Sequence, residues 1–325
     1  MQQEVHYIKS MEMKNMPKIY NSIHTRMKRM GEIKIGIALV VIIPILIVFL
    51  YMENNYISST YMYMEFDRLP KSFDGYTIVH LSDLHNKKFG KDQKYLVAKI
   101  EKANPDLIVY TGDLIDSRRH GMDNSIRLME ECVKIAPVYY VTGNHEWRTE
   151  QFALLQNALI EAEVQILQDD HYVIENGQDK IYILGIDDPM SAHSWEGHGE
   201  GVLMENFIEM EEDIIRDSIE KATMDIAKED TFKILLTHRP EKLPIYSEFD
   251  IDMIFAGHAH GGQIRLPFVG GVVAPNQGFF PKYTSGKHVY GNSTMVISRG
   301  LGNSIAPQRL FNRPEVIRVT LRSSQ

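Results

Sequence analysis

Five short segments of the chain carry side chains able to bind a metal ion. They are SDLH (Asp83, His85), GDLID (Asp113), GNHE (Asn144, His145), THRPE (His238) and GHAHGGQ (His258, His260). Taken singly, an aspartate after a strand is more often a helix cap or turn residue, and a lone histidine more often a hydrogen-bonded core or surface residue. Together the balance reverses, because so many imidazoles and carboxylates converging without a cation would leave polar groups unpaired in the interior. The donors are nitrogen and oxygen only, which permits manganese, iron or zinc. Cys132 is the single cysteine, so a cysteine zinc site, an iron–sulfur cluster and an intrachain disulfide are excluded.

Each segment follows an apolar run of strand length. These runs are Thr77 to Leu81, Leu107 to Thr111, Val138 to Thr142, Phe232 to Thr237 and Met253 to Ala256, with a further one at Ile181 to Gly185. Continuous Ile-, Val- and Tyr-rich runs fit strands buried on both faces of an α/β sheet. Gln93 to Ala103 and Asn124 to Ile135 read as crossover helices, the second holding Cys132 as a core residue. Asp83, Asp113 and Asn144 recur about thirty residues apart, one strand, crossover and strand, so they converge at one sheet edge. Within the pairs Asp83/His85 and His258/His260 the spacing of two would, in extended chain, point both members to one side. Gly112, Gly143, Gly257, Gly261 and Gly262 stand where backbone must turn tightly or approach a ligand. Met204 to Ala227 reads as a covering helix with Phe207, Met210, Ile214, Ile215 and Ile219 as its apolar stripe.

The 325 residues carry a formal net charge of -8, which argues against a nucleic-acid partner. Residues 35–52 form an uncharged run of about eighteen residues, long enough to span a membrane, and Pro44 within it is tolerated there. A cleaved signal would need a small-x-small site after the run, but Glu53, Asn54, Asn55 and Tyr56 follow. Lys9, Lys14, Lys18, Arg26, Lys28, Arg29 and Lys34 precede it, which places the N-terminus in the cytoplasm and the folded domain outside. The expected organisation is a cytoplasmic basic tail (1–34), a single-pass cell-membrane anchor (35–52), a linker (53–60) and a catalytic domain (61–325), with Tyr61 to Phe66 as its first strand close to the bilayer.

In that order the five motifs resemble the calcineurin-like metallophosphoesterases. SFDGYTIVHLSDLH and GHAHGGQIRLP are similar to a bacterial membrane-associated branch related to lipid-sugar (UDP-diacylglucosamine-type) pyrophosphatases. The resemblance covers Leu69 to the C-terminus and implies an α/β fold of four layers, a β-sandwich flanked by helices. It implies two divalent metal ions, one on Asp83, His85, Asp113 and His260, the other on Asp113, Asn144, His238 and His258, with Asp113 bridging. Hydroxide between them would attack phosphorus, and His145 would be the general acid for the leaving alkoxide. The implied substrate is a phosphomonoester, phosphodiester, lipid head group or lipid-linked pyrophosphate. The alternative is a catalytically silent metal-binding scaffold of the same fold, against which the complete ligand set weighs. No H-x-H-x-D-H or H-E-x-x-H pattern supports another metallohydrolase class.

Several residues remain open to two readings. Asp116 or Glu146 could orient His145 or serve only its loop. His193 and His198 fit a solvated loop better than a substrate contact. Asp187 and Asp188 could reach the cleft or close a turn before Pro189. Arg299, Arg309 and Arg313 could grip a phosphate or pair with carboxylates.

Overall fold

The computed structural model describes residues 2–193, 204–226, 228–303 and 306–324. Two compact units divide the chain, Met1–Tyr51 and Met52–Gln325. The first is helical. Helix α1 (Gln2–Asn55) runs from the N-terminal tail through Pro44 without interruption, and its last residues belong to the second unit. Within it Ala38–Asn55 is long and apolar enough to cross a membrane. The apolar side chains of Leu39 to Ile43 and Ile45 to Val48 are exposed.

The second unit is built on two six-stranded sheets. The first contains β1 (Ser58–Phe66), β2 (Thr77–Leu81), β3 (Leu107–Thr111), β4 (Val138–Val141), β5 (Gln165–Ile166) and β16 (Glu315–Ser323), in the order β1-β16-β2-β3-β4-β5. The second contains β6 (Asp170–Asn176), β7 (Asp179–Gly185), β8 (Lys233–Leu236), β9 (Met253–Ala256), β14 (Gly286–Tyr290) and β15 (Ser293–Ile297), in the order β14-β15-β9-β8-β7-β6. Strands β2 to β5 run parallel, as do β7, β8, β9 and β15, with antiparallel β6 and β14 closing the second sheet.

Alternation along the strands explains the layers. In β3, Leu107 and Val109 enter the core between the sheets, while Ile108 and Tyr110 face the opposite side. That side is covered by α2 (Lys94–Ala103), α3 (Asp123–Cys132) and α5 (Phe152–Glu161). In β8, Ile234 and Leu236 meet the inter-sheet core and Leu235 meets the helical side, covered by α6 (Met204–Thr223) and α7 (Leu243–Tyr246). With both faces covered, the strands are mostly apolar, and the polar exceptions His80 and Lys233 are hydrogen-bonded. The result is helix, sheet, sheet, helix. Helix α3 buries Ser125, Leu128, Met129 and Cys132, an i, i+3, i+4, i+7 face. Burial pushes the Cys132 thiol up to about 12, as suits a packing residue.

Three expectations need correction. Residues 53–60 are not a linker, because α1 continues to Asn55 and β1 begins at Ser58, where it pairs in parallel with Glu315 of β16. On α6 Ile215 and Ile219 are buried as expected, the Phe207 side chain lies outside the described residues, Met210 is exposed, and Glu211, Ser218 and Ala222 join the buried face. Glu211 is buried because it pairs with Lys242 at 3.0 Å and Arg239 at 3.4 Å. The strands are followed by sharp turns rather than extended chain. Asp83, His85, Asp113, His258 and His260 all have positive φ, between 47° and 64°.

Candidate metal centre

The site lies where the parallel strands of both sheets end. Asp83 and His85 follow β2, Asp113 follows β3, Asn144 and His145 open α4 (Asn144–Trp147) after β4, His238 follows β8, and His258 and His260 follow β9. All eight are buried. Backbone bonds lock the loops together, with Asp83 N donating to Gly112 O at 3.0 Å, His85 N to Asp113 O at 3.1 Å and Gly257 N to His238 O at 3.2 Å. Left-handed turns rather than extended chain bring Asp83 and His85 into one cluster, whereas His258 and His260 enter different ones. Gly112 holds φ +82°, and a Cβ there would meet the backbone of Gly143 and the His238 ring. At Gly257 a Cβ would collide with Ser82 and Asp83, so the backbone approach needs glycine.

Asp83, His85, Asp113 and His260 form one cluster and Asp113, His238 and His258 another, their ligand atoms within 4.8 Å of one another. Asp113 belongs to both. Its Oδ2 lies 3.4 Å from His238 Nε2, 3.7 Å from His85 Nε2 and 4.0 Å from His145 Nε2. Asp83 Oδ1 is 3.3 Å from His260 Nε2. Ring nitrogens face one another at 3.1 Å in the pairs His85/His260 and His238/His258. The Asn144 side-chain amide lies 2.9 Å from His258 Nδ1 and completes the group. His238 is oriented for this role: Nδ1 donates to Thr111 O at 2.7 Å, which leaves the Nε2 lone pair facing Asp113. Lone pairs converging from imidazole, carboxylate and amide fit divalent cations of the nitrogen- and oxygen-binding kind.

The electrostatics agree. Burial lifts Asp83 to about 6 and drops His85 to about 3, while His258 and His260 fall well below the usual histidine value, also by burial. Burial lowers His238 too, but Asp113 outweighs it and lifts the ring to about 10, so in the absence of a cation a proton takes the Nε2 position that a metal would hold. Asp113 goes the other way: burial would raise its carboxyl, yet His238 holds it well below the usual range. The cage draws positive charge towards Asp113.

His145 stands beside the cluster. Its backbone N donates to Asp113 Oδ1 at 2.8 Å, and its Nδ1 accepts from the Ser117 backbone N–H at 3.0 Å. An amide can only donate, so the neutral ring carries its proton on Nε2, the atom nearer Asp113. Asp116 Oδ1 approaches Nδ1 only to 3.5 Å and acts there as a charge. Burial lowers His145, but Asp113 and then Asp116 outweigh it and hold the ring above the ordinary histidine value. Glu146 instead accepts backbone N–H groups from Asp113, Gly143 and Ile115 at 2.9, 2.7 and 3.1 Å, tying two site loops together.

A model of the family described as Calcineurin-like phosphoesterase matches residues 76–262, which carry every one of these side chains. The chain belongs to that family. This phosphoesterase is 27% identical to the uncharacterized metallophosphoesterase YkuE of Bacillus subtilis, over 84% of this chain and 88% of that protein. It is 26% identical to the metallophosphoesterase YkoQ of the same organism, over 88% of this chain and 98% of that one. A transmembrane protein with metallophosphoesterase domain from Danio rerio is 28% identical over 79% of this chain, which spans 56% of that protein. The phosphoesterase is a metal-dependent phosphoester hydrolase.

Other residues take structural roles. Asp188 forms a buried bidentate pair with Arg239 at 2.5 and 2.9 Å, which the sequence reading missed although THRPE contains the arginine. Asp187 accepts from Thr142 Oγ1 and Gln168, and burial lifts it to about 7. Arg309 is buried on the carbonyls of Arg299, Gly302 and Asn312, Arg299 pairs with Glu315, and Arg313 with Glu53. His193 ends a short 3-10 turn, Pro189–His193, and His198 lies outside the described residues. Thr111 acts on His238 through its backbone carbonyl, and Ser117 reaches His145 Nδ1 with both its backbone N–H and its hydroxyl, at 3.0 and 3.1 Å.

Proposed function

We propose that this phosphoesterase hydrolyses a phosphoester at a membrane surface, a phosphodiester, lipid head group or lipid-linked pyrophosphate, with two divalent cations held by its strand-end residues. Asp83, His85, Asp113 and His260 would hold one, Asp113, Asn144, His238 and His258 the other, with manganese, iron or zinc all compatible. The observation that carries the reading is the position of Asp113, whose single Oδ2 faces His85, His238 and His145 at once. Bound there, the cations would polarise a phosphoryl oxygen, activate water and neutralise developing charge.

The chain's own part is orientation and proton supply. Asp113 serves both clusters, Thr111 O fixes the His238 ring, and Ser117 N fixes the His145 ring with Nε2–H towards the reaction space. The acid form is the imidazolium, which Asp113 and Asp116 favour by holding His145 above its ordinary value despite burial, and whose Nδ1–H would turn to Ser117 Oγ at 3.1 Å or Asp116 Oδ1 at 3.5 Å. The imidazolium Nε2 proton would pass to the leaving alkoxide oxygen and leave the neutral ring behind.

Membrane attachment is part of the proposal. Its support is the exposed apolar surface of α1, the length of Ala38–Asn55 and the similarity to a protein named as transmembrane. The basic residues before the run orient the catalytic unit outside the cytoplasm in a single pass. The test is a screen of the full-length protein in detergent with manganese, against monoester, diester, pyrophosphate and phospholipid, with Asp113→Ala alongside. Turnover by the parent and none by the variant is expected; equal rates would refute the site.

A further inference from the structure

We infer that the two hairpins following His260, residues 264–280, are a docking surface for the anionic face of the lipid bilayer. The inference rests on the proposed reading that α1 crosses that bilayer.

The hairpins pair β10 (Arg265–Leu266) with β11 (Gly270–Gly271) and β12 (Val273–Ala274) with β13 (Gly278–Phe279). Their large side chains face outward. Phe268, at the first turn, is fully exposed, and Leu266, Val269, Phe279 and Phe280 are exposed as well. Phe268 and Phe280 hold φ of 67° and 52°, a left-handed backbone that aromatic residues rarely adopt and that packing of their own rings does not compensate. Exposed apolar side chains gathered in one short segment mark an interaction surface.

Charge says which kind. From Ile264 to Tyr290 there is not one aspartate or glutamate, although the chain carries 43 of them, while Arg265, Lys282 and Lys287 remain. Arg265 turns its guanidinium to Gly261 O and Asn276 Nδ2 donates to Glu241 Oε1 at 3.1 Å, so the positive charge left to the surface is that of Lys282 and Lys287; with aromatic and aliphatic side chains beside it, that suits the interface of an anionic membrane.

Position says which membrane. Glu53, at the end of the apolar run, accepts from Asn312 N at 3.1 Å and from Arg313 Nε at 2.8 Å. The Asn312 amide donates to His260 O at 2.7 Å and Gln263 O at 3.0 Å, and Arg265 N donates to Leu310 O at 3.0 Å. One buried asparagine therefore links Glu53 to the base of the first hairpin. That base is stiff, because Val272 N donates to both Gly262 O and Ile264 O, and a Cβ on Gly262 would strike the backbone of Gly271. Docking would bring the turn that carries His260 towards the lipid phosphates.

The test uses the full-length protein in vesicles of phosphatidylcholine and phosphatidylglycerol. Phe268→Cys, Phe279→Cys and, as a control, Leu154→Cys on exposed α5 are labelled with an environment-sensitive fluorophore; Cys132 is buried and will not compete. Spin-labelled lipid should quench positions 268 and 279 at least threefold more than 154, and removing phosphatidylglycerol should weaken the effect. Alkaline carbonate extraction separates the two readings. Protein that stays with the lipid while position 268 behaves like 154 overturns the docking surface alone, whereas protein released from the lipid overturns the span and the inference with it. Concentration-dependent self-quenching at 268 without lipid quenching would assign the surface to a second copy and overturn it too.

Discussion

His85 and His260 present their Nε2 atoms to each other at 3.1 Å, with their rings 20° from parallel. Asp83 Oδ1 lies 3.3 Å from one of these nitrogens and Asp113 Oδ2 3.7 Å from the other. A proton can be shared by two such atoms but not by four, whereas a cation takes all of them. Burial also holds both rings well below the usual histidine range, so neither is an imidazolium near neutral pH.

Metal removal should therefore weaken the fold. Cations bound by the native state alone stabilise it by about 3–4 kcal/mol at 100–1,000 times their dissociation constant. For a unit of this size that is roughly 5–10 °C in Tm. Chelator treatment, followed by differential scanning fluorimetry, should show the drop, and added manganese should reverse it; an unchanged Tm would count against metal binding.

Asp113→Ala should be the most damaging single substitution in the site. It removes the carboxylate common to both clusters, so bound metal should fall further than in Asp83→Ala or His258→Ala. Activity should fall by at least ~10³-fold, in line with the loss of a charge-stabilising group. Elemental analysis beside initial rates checks both parts.

His145→Gln should leave metal content intact and slow the chemistry. A proton donor contributes about 10²–10⁴-fold. The loss should be large for an alkyl phosphoester and small for a nitrophenyl ester, whose leaving group needs no proton. Equal losses on both would remove His145 from the proton-donor role.

Much of this centre can be read from sequence because strand-end motifs carry their own signals. LIVYT before Gly112 and MIFA before Gly257 mark buried strands, and the residues after them are the ones the fold gathers into the site. The backbone that aims them is less legible. Aspartate and histidine tolerate left-handed φ better than most residues, but nothing in Asp83-Leu84-His85 announces it. Long-range pairing is hidden as well. Strand β16 inserts between β1 and β2 from the far end of the chain, and β1 starts at Ser58 because Glu315 and Val316 supply its partners. Glu211 reads as one more acid on a solvated face until Arg239 and Lys242 arrive beneath it.

Acid should destabilise the domain partly through His80. This ring is fully buried, accepts or donates one hydrogen bond with Thr111 Oγ1 at 2.8 Å, and is lowered to about 3 by burial. Its folded pKa lies below its unfolded value of 6.5. The unfolded chain thus binds the proton first, and stability present above pH 6.5 is lost as pH falls towards 3. Between pH 6.5 and 4.5 the loss from this group is on the order of 2 kcal/mol. His80→Gln keeps a partner for Thr111 without titrating, so its Tm should fall less over that range. Parallel pH–Tm curves for the two proteins would show that His80 contributes nothing.

Anomalous diffraction from crystals grown with manganese tests the central claim most directly. The account predicts two peaks flanking Asp113 Oδ2, one beside His85 and His260, the other beside His238, His258 and Asn144. A lone peak, or peaks away from Asp113, would contradict it.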